Sequence, residues 1–155
     1  MAQGANTGAG PGRSKGTRPM LKLLFAAFLA AHGLIHASYL SPTPARTAGG
    51  PEWPFEMGRS WLVSGLGLDA GAVRLIGAVL IAVTVTAFLL AALSTAGWLV
   101  PAGWWLPLIV LGSVASAAQL LVFFHPWLVL GLAIDAVLIW LALVSRWAPA
   151  VAWGA

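Results

Sequence analysis

Four apolar runs, each about as long as a bilayer is thick, leave this chain little choice of fold. Leu75–Leu93 and Trp104–Phe124 carry no charge, Met20–Leu40 carries His32 and His36 beyond Lys22 at its entry, and Trp127–Val144 carries Asp135. A helix needs roughly 17–25 apolar residues to cross a ~30 Å hydrocarbon core. With 155 residues, 60% hydrophobic and 8% charged, and a mean hydropathy of +0.91, no length remains for a separate soluble domain. The expectation is an all-α integral membrane protein, an up-down bundle of four transmembrane helices at about 20–40, 73–96, 104–124 and 127–146.

Tryptophan placement agrees. Of nine tryptophans, Trp98, Trp104, Trp105 and Trp147 flank one side of the runs and Trp53, Trp61 and Trp127 the other, while Trp140 lies inside a run. Amphipathic rings at run ends are what a headgroup region selects. Cysteine is absent, which excludes disulfide, thiol-redox and zinc–thiolate chemistry. The net charge of +4 comes mainly from the N-terminal tail and reads as topology and lipid contact. Nucleic acid is excluded as a partner, because no solvated basic face exists to bind it. Arg outnumbers Lys six to two in an Ala/Gly-rich chain, a hint of a GC-rich bacterial genome.

Residues 1–18 have no apolar period and read as a disordered cytoplasmic tail, with 148–155 as a second tail. Arg13, Lys15, Arg18, Lys22 and Arg146 fall on one side of the bundle, Arg46, Arg59 and Arg74 on the other, where Glu52, Glu56 and Asp69 offset them. Retention of positive charge predicts both termini in the cytoplasm and insertion in the plasma membrane. A cleaved signal peptide is the alternative for the first run; two histidines and the lack of a clean small-x-small site argue against it. The outer loop, 41–72, opens on Pro and Gly spacing that forbids regular structure and continues into an amphipathic aromatic half that would lie on the membrane surface or cap the bundle mouth. Asp69 is placed to cap the second helix, and Pro126 suits the first turn of the fourth. Ala26/Ala30, Ala27/Ala31, Gly112/Ser116 and Ser113/Ala117 repeat small residues at four-residue spacing, which lets helices in lipid approach closely. No internal repeat of the inverted-repeat transporter kind is present.

The polar residues gather at one depth. His32 stands eight residues before Leu40 and Asp135 eight beyond Trp127, each ~12 Å below the outer rim at 1.5 Å per residue. His36 lies one turn above His32 on the same face. His125 marks the rim, and Gln119 lies ~8 Å below it. The inner half offers Thr84, Thr86 and Ser94, which can bond their own backbone. An ionised Asp at the centre of a membrane helix costs ~2.5–3.5 kcal/mol, so Asp135 requires a partner, and His32 is that partner by depth.

Three readings of His32, His36, Asp135, His125 and Gln119 stay open: a structural polar lock, a proton or small-solute site of a transporter or ligand-binding protein, and a metal or redox centre. The last rests on His32 and His36, whose i, i+4 spacing puts two imidazoles on one helix face. No Glu follows the first histidine as a zincin would require, and two histidines on one face cannot ligate opposite sides of a haem. No cofactor is firmly implied; a metal ion is the only candidate. Glu52 and Glu56 read as solvated or lipid-facing loop carboxylates; Arg59 and Arg74 could bind lipid phosphate or an anionic ligand at the outer surface, and the plainer reading is that they offset Asp69 and the two glutamates. Apart from the bilayer, the candidate partners are other membrane subunits or a second copy of the chain.

The run Ala31-His32-Gly33-Leu34-Ile35-His36, with Gly131-Leu132-Ala133-Ile134-Asp135, resembles small four-helix membrane proteins of high-GC bacteria. It is also similar to the DoxX-like group, in its four-helix layout and a Gly-containing motif late in the first helix. That resemblance implies a membrane accessory component, in some members tied to quinone or thiol redox systems; the lack of cysteine departs from the thiol branch. It carries over no catalytic residue, and the expectation is a non-enzymatic accessory or structural protein.

Overall fold

A computed structural model describes residues 17–42, 44, 49, 50 and 52–153. The N-terminal tail before residue 17 and Arg46 lie outside the described residues, so the reading of that tail as disordered has no counterpart here. Within them the chain is all helical, with four helices long and apolar enough to cross a membrane: Pro19–Leu40, Ala70–Ala96, Ala102–Val122 and Pro126–Val144.

Helix α1 runs Thr17–Ile35 and tightens into a 3-10 segment, His36–Leu40. At three residues per turn, positions i and i+3 eclipse, and His36 and Tyr39 are the buried residues of that segment. A short helix α2, Trp61–Ser64, sits in the connecting loop. Helix α3, Ala70–Ala96, begins three residues earlier than the apolar run predicts, because Asp69 Oδ2 accepts the Ala72 N–H at 2.8 Å. Its far end closes on Gly97 at φ 77°, with the Trp98 N–H reaching back to Leu93 O at 2.9 Å, a left-handed cap that glycine adopts without Cβ strain.

Helix α4, Trp105–Val122, ends two residues before its run does, and Phe123 turns into the core instead. The fourth apolar run is not one uniform helix. It opens with a 3-10 turn, Pro126–Leu128, continues as α5, Val129–Ile139, and finishes as a π turn, Trp140–Val144. The wider π turn leaves Ala142 as its one buried residue. The stretch expected to be a tail forms α6, Pro149–Trp153. Trp153 packs against Phe25 and Trp147, and Trp147 against Trp105, so aromatic rings close the end opposite the 41–69 loop.

Helix α3 is the centre of the packing, lying against both α1 and α4, while α4 also carries α5. Glycine permits these approaches: a Cβ on Gly33 would fall 2.7 Å from Phe88 Cβ, and one on Gly112 would fall 3.3 Å from Ala87 Cβ and the Phe88 ring. Phe88 is thus wedged between a glycine of α1 and a glycine of α4. Outward faces stay apolar, with Leu75, Leu111, Leu130 and Val137 all exposed.

The core is not continuous. One apolar cluster holds Leu29, Phe88, Ile109 and Leu138; the other, nearer the 41–69 loop, holds Tyr39, Ile81, Leu120 and Leu128. In the sequence of every long helix, a buried polar residue falls between the two: His32 and His36, Thr84, Ser116, Asp135.

Candidate functional site: a buried polar layer

The packing contacts explain why those residues share a level. Helices α3 and α4 are antiparallel and meet at Phe88 and Gly112, so four residues back along α3 and four on along α4 bring Thr84 level with Ser116. Gly131 meets Leu120 across α4 and α5, which brings Asp135 to the height of Ser116. On α1, the Gly33–Phe88 contact sets His36 near the height of Thr84.

The side chains join into one chain of hydrogen bonds. His32 Nε2 lies 3.0 Å from Asp135 Oδ1. Ser116 Oγ donates to Asp135 Oδ2 at 2.5 Å and lies 3.0 Å from His36 Nε2. His36 Nδ1 lies 3.2 Å from Gln119 Oε1. His32 exposes 7% of its surface, His36 2%, Asp135 1%, and Ser116 and Gln119 0%. Aromatic rings seal the α1 end of the layer: His32 stacks on Phe28 and meets the edge of Phe88, 4.9 Å between centroids.

A count of hydrogens fixes the polarity of this chain. Ser116 has one proton, and the carboxylate takes it. Its oxygen therefore accepts from His36 Nε2, which must carry a hydrogen. A neutral imidazole then has an acceptor at Nδ1, and an acceptor facing Gln119 Oε1 is mismatched. The Gln119 Nε2 is buried without a partner. A half-turn of the amide about its own axis cures both faults, giving Nδ1 an N–H donor. Every donor then points toward Asp135.

The sequence candidates divide accordingly. His32, His36, Gln119 and Asp135 come together. His125 does not join them: its Nδ1 accepts the Trp127 N–H at 3.3 Å, capping the turn that opens the fourth span. Ser116 was legible only as a small residue in a packing stripe, yet it is the bridge between α1 and α5; its position three residues before Gln119, on one helix face, is the signal that could have marked it. Thr84 does not bond its own backbone as its type suggests; its hydroxyl, like that of Ser113, is buried without a partner. Ser94 donates to Pro101 O at 3.1 Å, outside its own helix.

His32 and His36, the metal-ligand candidates, lie side by side. Both His36 nitrogens face hydrogen-bond partners, His32 Nε2 faces Asp135, and the two rings meet edge to face at 5.6 Å. Among the described residues, no three His, Asp or Glu side chains are grouped to hold an ion. The donor set fits a metal poorly, since an ion would have to break the bonds that organise the layer.

In the loop, Arg59 Nη1 donates to Glu52 at 2.5 Å and its Nε lies 2.9 Å from Glu56. The hydrogen bond and charge of Glu52, with the charge of Glu56, hold the guanidinium proton more tightly than usual. Ser60 Oγ donates to Val122 O and Trp61 Nε1 to Leu121 O, both at 2.8 Å. These use carbonyls that the last turn of α4 would otherwise leave unpaired, and they fasten the loop to the bundle. No family model matches this chain, and neither the curated proteins nor the solved structures contain a match.

Proposed function

We propose that this is a multi-pass membrane protein of accessory or structural type, embedded in the plasma membrane with both termini cytoplasmic, whose Asp135 layer locks the bundle in register. The observation that carries the reading is the double occupation of a buried carboxylate: Asp135 Oδ1 takes His32 of α1 and Oδ2 takes Ser116 of α4. Helices α1 and α5 have few backbone contacts of their own, so this side-chain link joins elements that packing leaves apart. Burial in apolar surroundings makes the link directional, because any slip of register would strand a polar group at a cost of about 1–3 kcal/mol. The bilayer is the solvent of this fold; other membrane subunits or a second copy of the chain are the protein partners it would accept. Kinship with the DoxX-like group would fit the same accessory role.

The test compares Asp135→Asn with Asp135→Leu by thermal denaturation in mild detergent. Asparagine can still accept from Ser116, so it should be mild, whereas leucine should strand His32 and Ser116 and lower Tm markedly. Equal Tm for wild type and the leucine variant would sink the lock. A second reading, a proton or solute site, is favoured by one feature: an unbroken run of side-chain hydrogen bonds from Gln119 through His36 and Ser116 to Asp135 and His32. Proton flux in proteoliposomes that Asp135→Asn abolishes would put that reading first.

A further inference from the structure

Two grooves of similar size open on the outward faces of the spanning helices, and they differ in one atom. The groove between α1 and α5, about 330 Å³, is lined by hydrocarbon and phenyl side chains, with Phe25, Phe28, Ile134 and Val137 among them. The groove between α3 and α4, about 340 Å³, has Ala82, Thr86 and Ala87 on one side and Leu108 and Leu111 on the other. Thr86 is exposed there, near the middle of a helix that runs Ala70–Ala96. Thr95 of the same helix donates to Ala91 O at 2.8 Å. Thr86 makes no such bond, and among the described residues its hydroxyl has no partner.

At that depth headgroups are out of reach, and acyl chains offer a hydroxyl neither donor nor acceptor. Threonine in hydrocarbon finds its partner across a helix–helix contact. A hydroxyl both donates and accepts, so the group that complements Thr86 is a second Thr86. Two copies inserted with one orientation are related by a two-fold axis along the membrane normal, which sets both Thr86 side chains at one depth. Leu75, Val79, Ala82 and Thr86 recur at spacings of four, three and four, all exposed on α3. That spacing is the seam along which parallel helices pack, and the small Ala82 lets their backbones approach.

We propose that this groove is a homodimer interface, α3 against α3 of a second copy, with the two Thr86 hydroxyls hydrogen-bonded across the axis. The proposal rests on the membrane-embedded reading and names the surface by which a second copy is held.

The chain has no cysteine, so single introduced thiols report proximity without background. Full-length variants in phosphatidylcholine liposomes are oxidised with copper phenanthroline, and dimers are read on denaturing gels. Ala82→Cys, one turn from Thr86, should crosslink about tenfold faster than Val137→Cys, since an interface raises the local thiol concentration. Val137 is the control because it is exposed in the other groove. Thr86→Val keeps the shape and removes the hydroxyl. By energy transfer against lipid dilution it should associate roughly threefold more weakly, the equivalent of one bond of about 0.6 kcal/mol between membrane helices. Thr86→Ser, which keeps the hydroxyl, should associate like wild type. Equal crosslinking at 82 and 137 would overturn the interface and leave the groove to acyl chains. Unchanged association of Thr86→Val would overturn the hydroxyl pairing, and with it the argument for a second copy. Both results would leave the membrane reading intact; that reading falls separately, if wild type fails to insert into the same liposomes.

Discussion

Ser116 gives its only hydroxyl proton to Asp135, 2.5 Å away, and so turns a serine from a packing stripe into a second tie to α5 from the histidine-bearing span, beside the direct His32–Asp135 bond. Removing it should be felt on both sides. Ser116→Ala strands Asp135 Oδ2 and His36 Nε2 in an apolar interior, and an unsatisfied buried partner costs about 1–3 kcal/mol. The measurement is Tm in detergent, with Ser116→Thr beside it: threonine keeps the hydroxyl and should recover most of the loss. An alanine variant as stable as wild type would show that the bridge contributes nothing to the bundle.

The close approach of α1 to α3 predicts a different failure. A Cβ on Gly33 would lie 2.7 Å from Phe88 Cβ, and Cβ belongs to the backbone frame, so no rotamer change relieves it. Gly33→Ala should destabilise by about 1–3 kcal/mol, as overpacking in a close-packed interior does. Phe88→Leu should fail to rescue it, since leucine keeps the offending Cβ. Rescue by that second change would mean the ring, and not the helix separation, sets the limit. Because Gly33 follows His32, the same substitution should also loosen the His32–Asp135 contact, seen as altered histidine ring shifts in NMR spectra.

Much of this fold is written in one dimension. Helix number and type follow from run length and hydropathy, and Asp69 as a cap follows from a carboxylate just before an apolar run. The depth of His32 and Asp135 follows from counting residues to Leu40 and Trp127, because a helix rises uniformly. Azimuth does not follow from such counting. Which face of α4 meets α5 depends on contacts such as Gly131–Leu120, so the spacing of Ser116 to Gln119 marked a shared face of α4 but not the partner that face would meet. His125 shows the converse: depth placed it at the rim, and local geometry there made it a cap. The 3-10 end of α1 and the π turn after Ile139 leave no mark on hydropathy, since both keep the same apolar residues. Helix α6 was hidden for another reason: five residues cannot hold a helix alone, and its order comes from Trp153 against Phe25 and Trp147.

The Gln119 amide supplies the sharpest separation between lock and proton site. With His36 neutral, the hydrogen count requires an N–H at Nε2 directed to Ser116 and the Gln119 NH₂ directed to Nδ1. Nitrogen-15 spectra of histidine-labelled protein in nanodiscs distinguish the two ring nitrogens by protonation. The lock predicts one protonated nitrogen on His36 at neutral pH. Gln119→Leu should then leave Nδ1 without a donor, shifting its resonance while Nε2 stays bonded to Ser116. A second N–H on His36, accompanied by reorientation of the Gln119 amide, would instead mark a site that takes up a proton. In that case Gln119→Leu removes the acceptor that the imidazolium needs, and uptake should be lost.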